Sequence, residues 1–259
     1  MKGYRDRGAS PEAEVVAGPR AALEILRAGK RVVRRLILAR QEAGATTEAI
    51  LDLARMRQVP VETRPREELD RVVHGATHQG ILLEVGPFPY AEPEALVAQA
   101  SQGSAPGFVL ALDGIQDPQN LGAIIRSAEA AGVHGCILPR DRAAGVTAAA
   151  VRASAGATEH LAIARVTNLA AFLEFVKSQA FWVVGTDSTE GRDLFAADLT
   201  IPLVLVIGGE EHGLRHLTKT RCDLMVRIPS RGKVASLNAS AAAAVCLFEV
   251  ARQRRQMAR

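Results

Sequence analysis

Five residues in three short segments carry the chemistry this chain can offer. Asn120 and Arg126 lie in residues 112–131, Glu210 in residues 206–214, and Ser236 and Asn238 in residues 227–238. Taken singly, each has an ordinary explanation. An asparagine or a serine at a helix start caps free N–H groups, an arginine further along that helix is solvated, and the adjacent carboxylates Glu210 and Glu211 suit an exposed turn. Their setting is less ordinary, because each segment takes a hydrophobic strand through a turn into a helix. Open α/β sheets hold ligands beyond the carboxyl ends of their strands, so three such strand-end loops can converge on one pocket. A phosphate-cradling loop at residues 208–214 is the weaker reading, since the G-K-[ST] ending of a P-loop is missing.

The segments read N-L-G-A-I-I-R-S-A from 120, G-G-E-E-H-G-L from 208 and I-P-S-R-G-K-V-A-S-L-N from 228. In order and spacing they resemble the three motifs of the SpoU (TrmH) family, S-adenosylmethionine-dependent RNA ribose 2′-O-methyltransferases of the SPOUT type. Val16-Ala17-Gly18 ahead of a helix, and residues 75–81, GATHQGI, resemble the substrate-binding domain of one branch. That branch methylates a guanosine of bacterial large-subunit (23S) rRNA. The resemblance covers all but about the first dozen residues.

What the resemblance implies is methyl transfer from S-adenosylmethionine to a ribose 2′-OH. The sulfonium is a good leaving group, so the cofactor carries the hard chemistry and the protein aligns and activates the hydroxyl. Asn120, Arg126, Glu210, Ser236 and Asn238 are then the catalytic set. A guanidinium scarcely deprotonates in proteins, so Arg126 reads better as a clamp on the neighbouring phosphate that stabilises the developing alkoxide. The proton then leaves through water, phosphate or a carboxylate. Glu210, rather than Glu211, aligns with the family glutamate and positions the target nucleotide or the arginine. Thr186, Gly208, Ile228, Pro229 and Leu237 are the cofactor-binding candidates. The chain departs from the commonest branch pattern at Ser230, where Met is usual, and at Ala239 and Ala241, where Val is usual. These smaller side chains loosen a pocket without removing a catalytic group. The resemblance also implies a deep C-terminal trefoil knot, and a homodimer built in part by the last helix and the first-motif region. It leaves open which protomer supplies Arg126.

The motifs report chemistry rather than address. A tRNA is an alternative target, as is the rRNA adenosine methylated by thiostrepton-resistance enzymes of similar architecture. A non-catalytic RNA-binding or ribosome-assembly factor is the reading of a different class. Against it stands the intact set of five polar residues, which a pure binder does not need.

The elements that position these residues form an α/β chain of two domains. At 259 residues it is long for one core and comfortable for two. Residues 1–12 read as a flexible basic tail, 13–85 as a ribosomal-protein-like RNA-binding domain, 86–106 as a linker and 107–259 as the catalytic domain. In the front domain helices are expected over 19–28, 47–58 and 66–73, with strands over 35–39, 59–63 and 81–85. The linker is marked by Gly, Pro and Ser in 86–90 and 101–107, around a short helix at 93–100. Strands at 108–112, 135–139, 160–165, 182–185, 203–207 and 224–228, mostly separated by helices, imply a mainly parallel sheet. The first-motif helix opens at Asn120 and buries Leu121, Ile124, Ile125 and Ala128. The last helix puts Leu237, Ala241, Ala244, Val245 and Phe248 on one face, for core packing, a dimer interface or both.

Bulk properties narrow the partners. Net charge is only +4, yet residues 1–40 hold ten Lys or Arg against four Asp or Glu. The cluster Lys30, Arg31, Arg34 and Arg35 suits a phosphate backbone and equally reads as a solvated helix end. His78 either caps a strand entry or touches RNA. Aromatic residues are 4% of the chain, too few for a sheet that stacks bases. The three cysteines, Cys136, Cys222 and Cys246, lack disulfide or zinc spacing and read as small hydrophobes in a reducing cytoplasm. His212 with His216, and His74 with His78, are i, i+4 pairs without a third ligand, so no metal is expected. No apolar run approaches the length of a membrane span, and no secretory signal is read at the start.

Overall fold

The computed structural model describes residues 13–40, 44–73, 75, 77–103, 105–210, 212–232 and 236–257. The expected tail 1–12, His74, Ala76, Glu211 and residues 233–235 of the third motif lie outside the described residues. The chain divides into two units, Met1–Pro89 and Tyr90–Arg259.

The first unit runs β1 (Glu14–Ala17), α1 (Pro19–Ala28), β2 (Val33–Ala39), α2 (Ala45–Met56), β3 (Val61–Arg64), α3 (Arg66–Val72) and β4 (Ile81–Val85). Its four strands lie in the order β1-β4-β2-β3. β4 is antiparallel to β1 and β2, while β2 and β3 are parallel. α1 begins at Pro19, whose fixed φ and missing N–H suit a first turn, and buries Ala21, Ala22, Ile25 and Leu26. β1 is an element that periodicity did not reveal, since four residues, EVVA, are too few to show an alternation.

The second unit runs α4 (Pro93–Ser101), β5 (Phe108–Asp113), α5 (Pro118–Ala130), β6 (Gly135–Pro139), α6 (Ala148–Ala153), β7 (Ala162–Val166) and α7 (Leu169–Ser178). It continues with β8 (Trp182–Asp187), β9 (Arg192–Asp193), β10 (Leu203–Gly208), α8 (His216–Lys219), β11 (Leu224–Arg227) and α9 (Ala239–Met257). The seven strands form one sheet, ordered β7-β6-β5-β10-β8-β11-β9, with every pairing parallel. β5, β6 and β10 read FVLALD, GCILP and LVLVIG and are buried almost throughout, the mark of strands covered on both faces. Each large apolar side chain so buried contributes roughly 1.5–3 kcal/mol. Because all strands run the same way, Asp113, Pro139, Asp187, Gly208 and Arg227 end at one edge, where the functional loops leave.

Three expectations need correction. Residues 86–106 are not a loose connector: Leu96, Val97 and Ala100 of α4 are buried in the second unit's core beside Val109, Ile137 and Ala164, and Ala91 pairs with Ala164. An amphipathic helix has to bury its apolar side somewhere, and this one does so against the sheet. α5 opens at Pro118 instead of Asn120, with the Asp117 carboxylate accepting from Gln119 N at 2.9 Å as its cap. Finally, the core face of α9 is Ala239, Ala243, Cys246, Leu247 and Val250. In the expected stripe Leu237, Ala241 and Phe248 are exposed and Ala244 and Val245 half-buried, so of its two readings it is core packing that is corrected.

Candidate active site

The register of the sheet places the three motifs side by side. Gly208 lies opposite Asp113 where β10 pairs with β5, β8 flanks β10 on its other side, and β11 follows β8. The loops after β5, β10 and β11 therefore emerge together.

At that edge three side chains meet. Asp117 caps α5, which frees Asn120 in the first turn to bond elsewhere. Its Nδ2 donates to Glu210 Oε1 at 2.7 Å. Asn238 Nδ2 donates to the same oxygen at 2.7 Å and to Asn120 Oδ1 at 3.1 Å. Of an amide's two ends only the nitrogen can donate to a carboxylate, so these bonds orient both amides. The other end of Asn238 is occupied as well: Oδ1 accepts from Ser240 N at 3.0 Å, Ser240 Oγ at 2.6 Å and Ala241 N at 3.3 Å. Asn238, not Ser236, is thus the residue that caps α9, because α9 starts one residue after it.

Ser236 stands exposed two residues earlier and lines a cavity of about 720 Å³ beneath the cluster. Glu210, Thr186, Gly208, Ile228, Pro229 and Leu237 line it too. One wall is apolar, from Ile207, Val226, Ile228, Leu237, Ala242 and Cys246, while Thr186, Asp187, Ser188 and Glu210 supply oxygen acceptors and hydroxyls. The size falls within the usual range for small-ligand pockets, and the division fits a molecule with a flat apolar ring at one end and charged groups at the other. Gly208 and Gly209 are required by backbone crowding. A Cβ on Gly208 would stand 2.5 Å from Leu214 N, and one on Gly209 2.6 Å from Gly114 O. Thr186 is partly committed, its hydroxyl donating to Val206 O at 3.1 Å. Burial holds the Cys246 thiol up at about 12, so it behaves as part of the apolar wall.

Arg126 is not brought to this cluster. It lies six residues beyond Asn120, about 9 Å further along the helix axis, and is exposed. Sequence reasoning also passed over polar groups that shape the site. Burial works to raise the Asp187 carboxyl, but bonds from Thr189 N, Lys219 Nζ, Glu190 N and the Thr189 hydroxyl outweigh it and hold the group well below the usual carboxylate range. Lys219 Nζ reaches Glu190 at 2.8 Å and Asp187 at 2.9 Å, and the two together push its ammonium well up. The D-S-T-E-G run at 187–191 carried a turn signal, though nothing in it announced a lysine 32 residues away.

A family model described as the SpoU rRNA Methylase family matches residues 107–248, which contain all three motifs. The chain belongs to the SpoU rRNA methylase family. It is an S-adenosylmethionine-dependent RNA methyltransferase. A second model, RNA 2′-O ribose methyltransferase substrate binding, matches residues 15–91. This SpoU methylase is 40% identical over 245 residues to YacO of Bacillus subtilis, described within the TrmH family of tRNA/rRNA methyltransferases, covering 95% of this chain and 98% of that one. It is 40% identical over 241 residues to the 23S rRNA (guanosine-2′-O-)-methyltransferase RlmB of Pseudomonas aeruginosa, covering 93% and 97%. Among solved structures, the SpoU methyltransferase AviRb of Streptomyces viridochromogenes in complex with AdoMet superposes with a TM-score of 0.77 at 28% identity, over 98% of this chain and 95% of that one.

In the front unit of this SpoU methylase the RNA candidates separate into two groups. Lys30 is exposed and Arg34 half-buried. Arg31, by contrast, has a fully buried side chain that pairs with Glu14 at 2.7 Å, donates to Gly86 O at 2.8 Å and lies over the Phe88 ring. Arg35 bonds Glu84 at 2.6 Å and Glu62 at 3.1 Å across the sheet. His78 is 3% exposed, with Nε2 2.8 Å from Asp70 and Nδ1 accepting from Gly80 N. All three make bonds within the domain through the atoms named here.

Proposed function

We propose that this SpoU methylase transfers the methyl group of S-adenosylmethionine to the ribose 2′-OH of a guanosine in large-subunit (23S) rRNA. The observation that carries the reading is the Asn120–Glu210–Asn238 cluster at the mouth of the cavity, where residues up to 118 positions apart share one carboxylate oxygen. Support for the guanosine address comes from the similarity to RlmB across nearly the whole chain and from the substrate-binding match at residues 15–91.

Ile228, Pro229 and Leu237 would hold the adenine, with Thr186 and the backbone at Gly208 beside it. When bound, S-adenosylmethionine supplies a methyl group on a sulfonium that leaves readily. The protein's share is alignment. Glu210, fixed by two amide donors, holds the nucleotide so that its 2′-oxygen faces the cofactor cavity, and Ser236 adds a hydroxyl at the same rim. Arg126 remains a guanidinium throughout; it grips the phosphate next to the ribose and stabilises the charge that develops on the 2′-oxygen. The proton leaves to water, to phosphate or to a carboxylate. The front domain, residues 13–85, presents the RNA, with Lys30 and Arg34 as phosphate contacts. The outward stripe of α9 supports a homodimer, since an exposed apolar helix face is more stable when covered. The described residues contain no helix long and apolar enough to cross a membrane.

The test is transfer of labelled methyl to large-subunit rRNA that lacks its ribose methylations, with the modified nucleoside mapped and Arg126→Ala run beside the wild type. The expected product is 2′-O-methylguanosine in the peptidyl-transferase region, reduced in the variant by roughly 10²–10³. Cofactor and RNA binding without transfer to any rRNA or tRNA would replace this reading with that of an assembly factor.

A further inference from the structure

We infer that Asp113 is a positioning residue that clamps both ends of the turn carrying Glu210 and so fixes where that carboxylate stands. The inference rests on the role proposed for Glu210. Asp113 is the last residue of β5, and its side chain is 0% exposed. Its backbone oxygen accepts from Gly209 N at 2.9 Å, at the entrance of the turn. Its carboxylate Oδ2 accepts from Arg215 N at 2.8 Å, at the exit. Oδ1 faces the Arg215 guanidinium, with Nε at 3.4 Å. Between these points the turn closes on itself through Gly213 N to Gly209 O at 3.0 Å.

Two backbone facts tighten the clamp. Gly114, directly after Asp113, adopts a φ of +83°, which only glycine takes without strain. It lies so close to Gly209 that a Cβ there would stand 2.6 Å from Gly114 O. The turn is therefore laid directly on the end of β5. A carboxylate buried this fully is costly unless paired and hydrogen-bonded. Here Oδ2 is hydrogen-bonded and Oδ1 is paired by charge alone, both to Arg215 at the turn's exit, and Asp113 is not among the residues lining the cavity. Its influence on the reaction has to pass through Glu210. Release of either end would let Glu210 drift from Asn120 and Asn238, and a misplacement near 1 Å costs roughly a hundredfold in rate.

Asp113→Ala, Asp113→Asn, Arg215→Ala, Glu210→Ala and the Asp113→Ala/Glu210→Ala double variant decide the matter. They are compared in single-turnover methyl transfer, with thermal midpoints and amide hydrogen exchange at Gly209 and Arg215 recorded alongside. Asp113→Ala is expected to lower kcat roughly a hundredfold with a smaller effect on KM for the cofactor. Asp113→Asn, which keeps an acceptor for Arg215 N, restores part of that loss. Arg215→Ala, which leaves the backbone bond to Oδ2 in place, falls less than Asp113→Ala. In the Glu210→Ala background the Asp113 substitution costs little more, because there is no longer a carboxylate to place. Equal losses from Asp113→Ala in both backgrounds would overturn the inference, as would wild-type kcat in Asp113→Ala. Should Asp113→Ala fail to fold, Asp113→Asn decides by rate: a partial loss of kcat that vanishes in the Glu210→Ala background supports the clamp, and wild-type kcat or an equal loss in both backgrounds sinks it. Full activity in Glu210→Ala would instead remove the role of Glu210, while the exchange data still judge the clamp.

Discussion

At the level of single residues, the two asparagines of the cluster do different amounts of structural work. Asn120 owes nothing to its helix, because Asp117 already caps α5, and its bonds go to Glu210 and Asn238. Asn238 serves two masters, capping α9 through Oδ1 while holding Glu210 through Nδ2. The two alanine variants should therefore separate. Asn120→Ala is expected to lose methyl transfer with little change in melting temperature. Asn238→Ala should lose both, with about 1 kcal/mol of stability gone along with the cap. Single-turnover rates and denaturant unfolding on the same samples check the pair, and equal stability losses would show that Asn120 also supports the fold. Asn238→Asp keeps the cap acceptor but sets a carboxylate against Glu210, so it should retain stability better than activity.

At the level of elements, what was legible in the sequence and what was not divides along a physical line. The strand-end loops carrying Asn120, Glu210 and Asn238 could be read because residue type, spacing and strand–turn–helix context coincide within a few positions. The parallel sheet could be read because strands buried on both faces are continuous apolar runs. Asp113, Asp187 and Lys219 could not, since their meaning lies in partners up to 102 residues away. Arg31 was misjudged for the same reason: a run of cations shows charge, not the carboxylate that one of them is buried against. The stripe of α9 had the right period, but period alone does not say which face meets the sheet. The Asp187 turn after β8 gives a pH test. Its carboxyl is held well below the ordinary value in the folded chain, so its stabilising effect is complete above the unfolded pKa near 3.9 and is lost as pH falls toward the folded one. Asp187→Asn should melt below the wild type at pH 6, and the gap should close as pH drops below about 4. A gap that stays constant from pH 6 to 3 would mean that the turn gains nothing from the charge.

At the level of the whole molecule, charge and symmetry make separate demands. Lys30→Gln with Arg34→Gln should weaken RNA binding and reduce the slope of log affinity against log salt by roughly one per lost phosphate contact, with melting unchanged. Arg31→Met should do the opposite, costing about 2 kcal/mol of stability from its bonds to Glu14 and Gly86 and little of the salt slope. Symmetry bears on Arg126. The Asn120–Glu210–Asn238 cluster is assembled within one chain, whereas Arg126 stands some 9 Å along α5 from Asn120, exposed, on a helix packed against α9. α9 in turn presents Ala241 and Phe248 to the outside, the latter 50% exposed. If that stripe is the contact between two copies, the arginine of one protomer completes the cluster of the other. Mixing Arg126→Ala with Glu210→Ala tests this without any assumption about the interface. In a heterodimer with arginine acting across the contact, one of the two sites is whole. With arginine acting inside its own chain, both sites are broken. Random reassortment makes about half of the dimers mixed, so mixing and re-equilibration should restore about a quarter of wild-type activity from two variants that are each nearly inactive alone. No recovery, with exchange of subunits confirmed by differently tagged chains, would return Arg126 to its own protomer and require α5 to move before the RNA can react.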